Sequence, residues 1–137
     1  MQVGIDSFAS ALGDFNPSVS ASERMTKLIE QIEYADKIGL DVFGMGEQHS
    51  REFLDSAPTI ILAAAAARTK RIHLTSAVTV LCCRPSKVFQ EFATFDLLSQ
   101  GRAEMVVGRG SFVEAFPLFG LHLEGYDSLF AEKLSCC

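Results

Sequence analysis

Hydrophobic positions in this chain recur with two periods, and the switches between them mark the elements. Gln2 to Phe8 reads as a first strand, and Ala9 to Ser20, with Gly13, Asn16 and Pro17, reads as a loop. Met25, Leu28, Ile29, Ile32, Ala35 and Ile38 then recur at helical spacing, which predicts a helix with a buried stripe. Ser20-Ala21-Ser22-Glu23 supplies a capping box at its start and Gly39 a stop at its end. Asp41 to Met45 reads as strand two, followed by a polar loop from Gly46 to Ser56. Pro58 opens the next helix, where its missing N–H costs little, and the alanines from Ala63 to Ala67 allow that helix to pack close to a sheet. Ile72 to Leu81 reads as one continuous strand three. One of its faces carries Ile72, Leu74, Ser76, Val78 and Val80, the other His73, Thr75, Ala77, Thr79 and Leu81. Arg84-Pro85 opens a third helix, with Val88, Phe89, Phe92, Ala93 and Phe95 as its apolar positions. Gly101 stops that helix, Arg102 to Val107 reads as strand four, and Tyr126 to Leu134 reads as a last helix.

Strands alternating with helices over short links argue for an α/β fold of parallel βα units. In such folds ligands bind where the carboxyl ends of the strands and the following loops converge. That rule draws attention to two stretches. Gly108-Arg109-Gly110 follows strand four, and arginine between two glycines suits an anion, a turn or a surface ion pair. Glu47-Gln48-His49 follows strand two. His49 has the chemistry of a general acid or base, or of a hydrogen-bond donor to a ligand oxygen; a loop histidine bonded to backbone is the plainer alternative.

Composition narrows the field. A length of 137 residues suits one domain spanning 1–137, and 48% hydrophobic residues supply a core. A net charge of -5 argues against nucleic acid as a partner, and no apolar run reaches membrane-spanning length. Met1 to Asp6 has strand character without a basic leader, so no signal peptide is expected. The cysteines stand as adjacent pairs, Cys82-Cys83 and Cys136-Cys137, which suit neither disulfides nor metal ligation; free thiols in a reducing cytoplasm are expected. His73 and His122 show no metal spacing with His49, Glu104 reads as an interior or edge charge, and no Ser-His-Asp spacing or phosphate loop is visible. Phe112, Phe116 and Phe119 lie between Ser111 and Gly120, and such rings call for cover by an end of the fold or by a partner surface.

The wording around strand four resembles the luciferase-like flavin-dependent monooxygenases, in which a helix ends in Asp-x-x-Ser-x-Gly-Arg and the following strand leads to Arg-Gly. The matching residues are Asp96, Ser99, Gly101, Arg102, Gly108, Arg109 and Gly110. Gly46-Glu47-Gln48-His49, Ala64 to Ile72 and Thr75 to Leu81 resemble the family's second strand end, second helix and third strand, in the same order. The resemblance, from about Val3 to Lys133, implies the first half of a TIM-like β/α barrel, about four βα units of a fold that is typically ~250 residues when complete. It implies FMN, or another reduced flavin or deazaflavin, at the strand ends. It marks Ala77-Val78 as the place of a non-prolyl cis peptide beneath the flavin ring; a plain strand end is the alternative. It sets Arg109 and Gly110 near the flavin phosphate, with Glu47 among the cofactor contacts, and His49 and Gln48 as catalytic positions. Where this chain has Gln48, the family often has a second histidine, and glutamine cannot shuttle a proton. Gly108 stands where some luciferases carry a reactive cysteine, so no nucleophile is expected there.

Two classes of function follow. One is a flavin-dependent oxidoreductase or monooxygenase acting on a small molecule, with Ser7, Glu47, Ala77 and Arg109 at the strand tips around the site. The other is a non-catalytic half-barrel relative, an interaction module or a remnant. A flavodoxin-like module ranks below both, because no phosphate-binding loop follows strand one. Half a barrel leaves two open strand edges and an apolar interior, so a homodimer is expected.

Overall fold

A computed structural model describes residues 1–11, 19–80, 85–110 and 115–135. Its order is β1 (Gly4–Ser7), α1 (Ala21–Ile38), β2 (Val42–Met45), α2 (Pro58–Ala66), β3 (His73–Ser76), β4 (Thr79–Val80), α3 (Pro85–Ser99), β5 (Ala103–Glu104), β6 (Val107–Gly108), α4 (Ala115–Leu118) and α5 (Tyr126–Leu134). A four-stranded sheet runs β1-β2-β3-β5 and a two-stranded one pairs β4 with β6; every pairing is parallel. This is the expected alternation of parallel strands and helices. The cysteine pairs, Arg84 and Phe112 lie outside the described residues.

Local chemistry sets the helix limits. Ser20 caps α1: its Oγ accepts from the Glu23 N–H at 3.2 Å, and the Glu23 carboxylate accepts from the Ser20 N–H at 2.8 Å. Pro58 occupies the first turn of α2. After α3 the chain passes through Gln100 (φ 60°) and Gly101 (φ 82°), a left-handed pair that reverses its direction and starts β5.

The predicted strands three and four are each split. Strand three breaks between Ser76 and Thr79, strand four between Glu104 and Val107, at the same level of the sheet. An alternating run of Thr, Val and Leu gives no sign of this, because the partner strand sets it. The buried Ser76 Oγ donates to the Val106 carbonyl at 2.9 Å and accepts from the Val106 N–H at 3.1 Å, taking the place of a ladder pair. The Ala77–Val78 peptide bond within this break is cis.

Parallel register places Ile5, Phe43, Leu74 and Ala103 on one face and Asp6, Gly44, Thr75 and Glu104 on the other. The first face meets the helices, where Leu28, Ile32, Ile61, Leu62, Phe92 and Phe95 close the core with Phe43, Met45, Ile72 and Leu74. The second face is polar, not the apolar interior expected of an open half barrel: His73 Nδ1 lies 2.9 Å from the Glu104 carboxylate, in ion-pair contact without hydrogen-bond geometry. The helical stripes are also narrower than expected. Ile38 at the end of α1 and Phe89 on α3 are exposed.

Two polar clamps hold the amino end of the sheet. The Asp36 carboxylate accepts from the N–H groups of Lys70, Arg71 and Ile72 at 2.9, 3.0 and 2.8 Å, pinning the entry of β3 to α1. Burial of Asp36 works to raise its pKa, but these three bonds together hold it below the usual aspartate range. The Arg102 guanidinium donates to the carbonyls of Ser99, Ile72, Ala66 and Thr69 and to the Thr69 hydroxyl, at 2.8 to 3.3 Å. It thereby closes the carboxyl ends of α2 and α3, where helix dipoles favour a cation.

Candidate functional site

The strand breaks and the loop after β2 enclose a cavity of about 430 Å³ at the carboxyl ends of the strands. All seven residues singled out from the sequence line it: Glu47, Gln48, His49, Ala77, Val78, Arg109 and Gly110. Phe8, Val80, Ala115 and Tyr126 complete the wall. Ser7 holds its strand-tip position but is not part of the lining.

His49 is fixed on two sides. Its Nε2 lies 3.0 Å from Glu47 Oε1, and its ring meets Phe119 edge-on at 5.1 Å. The other Glu47 oxygen accepts the Val80 N–H at 3.1 Å, so a single carboxylate ties the histidine to β4. This answers the alternatives for His49: its partner is a side-chain carboxylate, not backbone. Both side chains are nearly buried, at 10% and 12% exposure, so their contact is shielded from solvent. Gln48 is buried, and its Oε1 finds no hydrogen-bond partner among the described residues.

Ala77 and Val78 are half-buried and present small side chains at the strand break. Behind them the backbone comes close. A Cβ on Gly108 would stand 2.7 Å from Val78 Cγ2, and one on Gly110 3.1 Å from Val80 Cγ2. Any larger residue at 108 would push Val78, and with it the wall of the cavity.

Arg109 is half exposed at the rim. Its guanidinium pairs with Asp127 and lies 5.2 Å from the centroid of the Tyr126 ring, while the Tyr126 hydroxyl donates to the Gly110 carbonyl. A surface ion pair, one of the alternatives open for Arg109 in the sequence, is therefore present at the mouth of the cavity. Tyr126 and Phe119 were not among the candidate residues. The aromatic run from Ser111 to Gly120 was the signal for Phe119, while Tyr126 was visible only as a helix start.

Asp55 was also missed. It is fully buried, and neither carboxylate oxygen completes a hydrogen bond among the described residues. Burial pushes its pKa up to about 6, and the Glu47 carboxylate pushes the same way; the nearby N–H groups of Asp55 and Gln48, and His49, pull it down. Nothing in a polar loop sequence marks one aspartate as buried.

Among the described residues no group of His, Cys, Asp and Glu side chains is arranged to hold a metal ion, and no helix is long and apolar enough to cross a membrane. The sequence model of the luciferase-like monooxygenases matches residues 5–137. Limonene 1,2-monooxygenase of Rhodococcus erythropolis is 33% identical over 95 residues, 68% of this chain and 24% of the relative. The oxygenase component of flavin-dependent trigonelline monooxygenase from Acinetobacter baylyi is 31% identical over 88 residues, 63% of this chain and 24% of the relative. The crystal structure of the monooxygenase RslO1 from Streptomyces bottropensis superimposes with a TM-score of 0.86 at 27% identity, covering 98% of this chain and 41% of that one. The chain thus spans about a quarter of the length of the two curated relatives.

Proposed function

We propose, from the premise that the chain belongs to the luciferase-like monooxygenase family, that it binds a reduced flavin in the cavity at its strand ends and serves an oxidoreductase reaction on a small molecule. The observation that carries this reading is the convergence of the seven predicted residues on one cavity, from the loop after β2, the break in strand three and the loop after β6. The lining suits a flavin: small apolar side chains at Ala77 and Val78 for a flat ring, and the Arg109 cation at the rim for a phosphate. A relative named as flavin-dependent supports the same cofactor class, FMN before a deazaflavin. When bound, the flavin supplies the redox chemistry.

The chain's own residues orient and shield. Glu47 holds His49, and His49 presents a titratable ring nitrogen that can hold or pass a proton at a ligand oxygen. Gln48 cannot carry a proton and contributes hydrogen bonds only. Arg109 engages a phosphate by exchanging Asp127 for it, so the ion pair is a pre-formed anion site. The open β1 edge, flanked by exposed Ile5, Tyr34 and Ile38, takes a second copy of the chain and makes a homodimer. We place the protein in the cytoplasm, in keeping with cysteines that stand in the sequence only as adjacent pairs.

The pairing of Arg109 with Asp127 favours a second reading, in which the fold persists as a non-catalytic interaction module with its cation already neutralised. Titration with oxidised and reduced FMN, followed by flavin fluorescence beside light scattering, separates the two. Saturable binding by a dimer, weakened at least about tenfold in Arg109→Ala, supports the flavin site, since a charge-assisted phosphate contact is worth about 1.5–3 kcal/mol. No binding at millimolar flavin leaves the non-catalytic reading.

A further inference from the structure

Among the described residues that line the cavity, Arg109 is the only lysine or arginine, and its charge is already answered. Glu47, the carboxylate in the wall, is engaged by His49 and by the Val80 N–H. Asp127, from outside the lining, pairs with Arg109. The two partners belong to different elements. Arg109 follows β6 and precedes Gly110, whose φ of 78° turns the chain at the rim. Asp127 lies in the first turn of α5, a helix that buries none of its residues, so packing of α5 does not dictate the pair. Tyr126 does. Its hydroxyl donates to the Gly110 carbonyl, its ring packs against the buried Phe116 at 5.3 Å, and the Arg109 guanidinium lies 5.2 Å from its centroid. Tyr126 thus anchors the start of α5 at the mouth by contacts that do not involve Asp127, and the next residue delivers its carboxylate to the arginine. The Asp127 side chain is 82% exposed, so it can turn to water without disturbing any packing. The anchor is fixed and the counterion is displaceable.

We propose that Asp127 is a resident counterion that sets the choice of this site between phosphate-bearing and neutral ligands of one ring system, an inference that rests on the flavin reading and names the residue that tunes it. A neutral flavin such as riboflavin occupies the cavity with the Arg109–Asp127 pair intact. A flavin phosphate takes Arg109 only by displacing Asp127, and it then lies beside a carboxylate of its own sign. Exposed ion pairs are weak, so the displacement tunes affinity a few-fold and does not block the site. The linkage is reciprocal: whatever releases Asp127 tightens the phosphate ligand, and the phosphate ligand releases Asp127. Asp127 is therefore a specificity-determining residue that acts on the cation at the rim and stays clear of the cavity wall.

The test measures dissociation constants of the whole chain for oxidised FMN and for riboflavin by flavin fluorescence. It is run at about pH 8, where the phosphate is doubly ionised, and at about 0.15 M salt, which screens distant charges. Asp127→Asn is expected to tighten FMN about three- to fivefold, the worth of an exposed pair, and to leave riboflavin unchanged. Asp127→Glu keeps the carboxylate and is expected to hold FMN at the wild-type value, which separates the charge from any effect on the start of α5. In an Arg109→Ala background, Asp127→Asn is expected to lose its effect on FMN. An equal gain for both flavins, a gain that persists in Arg109→Ala, or no gain for FMN overturns the proposal. If neither flavin binds any of these proteins, the flavin reading falls and inorganic phosphate becomes the probe, followed at the Arg109 Nε–H signal by nitrogen-15 NMR. Phosphate that shifts this signal at several-fold lower concentration in Asp127→Asn than in the wild type upholds the counterion. Equal concentrations, or no shift in either protein, overturn it.

Discussion

Replacing Arg102 with methionine tests the fold's main polar clamp. The substitution keeps an unbranched apolar stem and deletes the guanidinium. Five hydrogen bonds disappear, four of them to carbonyl oxygens of Ala66, Thr69, Ile72 and Ser99 and one to the Thr69 hydroxyl. All four of those residues are buried, so few of the freed oxygens can find water. A buried acceptor left bare costs about 1–3 kcal/mol. Taking the low end for each carbonyl, and allowing for relaxation of half-exposed neighbours, gives a loss of about 3–5 kcal/mol. That is a large share of the ~5–15 kcal/mol that holds a typical domain together. Urea denaturation followed by far-ultraviolet circular dichroism reads it as a lower midpoint with an unchanged slope. Arg102→Lys should recover less than half, since one ammonium cannot reach four separated carbonyls. Arg71→Met is the control: its side chain is exposed and gives a single bond to the Asp36 carbonyl at 3.2 Å, so a loss of under about 0.5 kcal/mol is expected. A midpoint for Arg102→Met within about 1 kcal/mol of wild type would refute the reasoning, since burial would then be supporting those carbonyls without the arginine.

Other expectations follow from the same geometry. Asp55 has a folded pKa of about 6, above its ordinary 3.8, so its favourable contribution is complete below pH 3.8 and is lost as pH rises to about 6. Asp55→Asn should remove up to about 3 kcal/mol of that decline, measured as the difference in unfolding free energy between acid and neutral pH; parallel curves for the two proteins would contradict it. Asp36 has the opposite sign. Its lowered pKa means stability present above the unfolded value and lost as pH falls through the folded one, so Asp36→Asn should be less stable at neutral pH, with the gap narrowing in acid. Gly108→Ala should weaken flavin binding more than it weakens the fold, because the added methyl displaces Val78 at the cavity wall; equal melting temperatures with unchanged flavin affinity would count against it.

Much of this fold was legible because its helix ends carry their own chemistry. Ser20 with Glu23, Pro58 and Gly101 fix limits that the structure repeats to within a residue. The strand breaks were not legible, since Ser76 bridges to Val106, a residue 30 positions away, and no local pattern can announce a partner. The seven candidate residues come from strand ends and a family resemblance, and the structure lines one cavity with them. The unpartnered buried Asp55 and the aromatic contacts of Phe119 and Tyr126 escaped notice because burial inside a loop has no period.

The Asp36 and Arg102 clamps grip the amino end of the sheet, while the cavity opens at the carboxyl end, a strand's length away. The residues of the clamps and those that line the cavity are therefore separate sets. Substitutions at the two ends should combine additively. Selection could rework the mouth of this cavity without renegotiating the fold beneath it, and damage at the clamps could be suppressed by changes that leave the cavity wall alone.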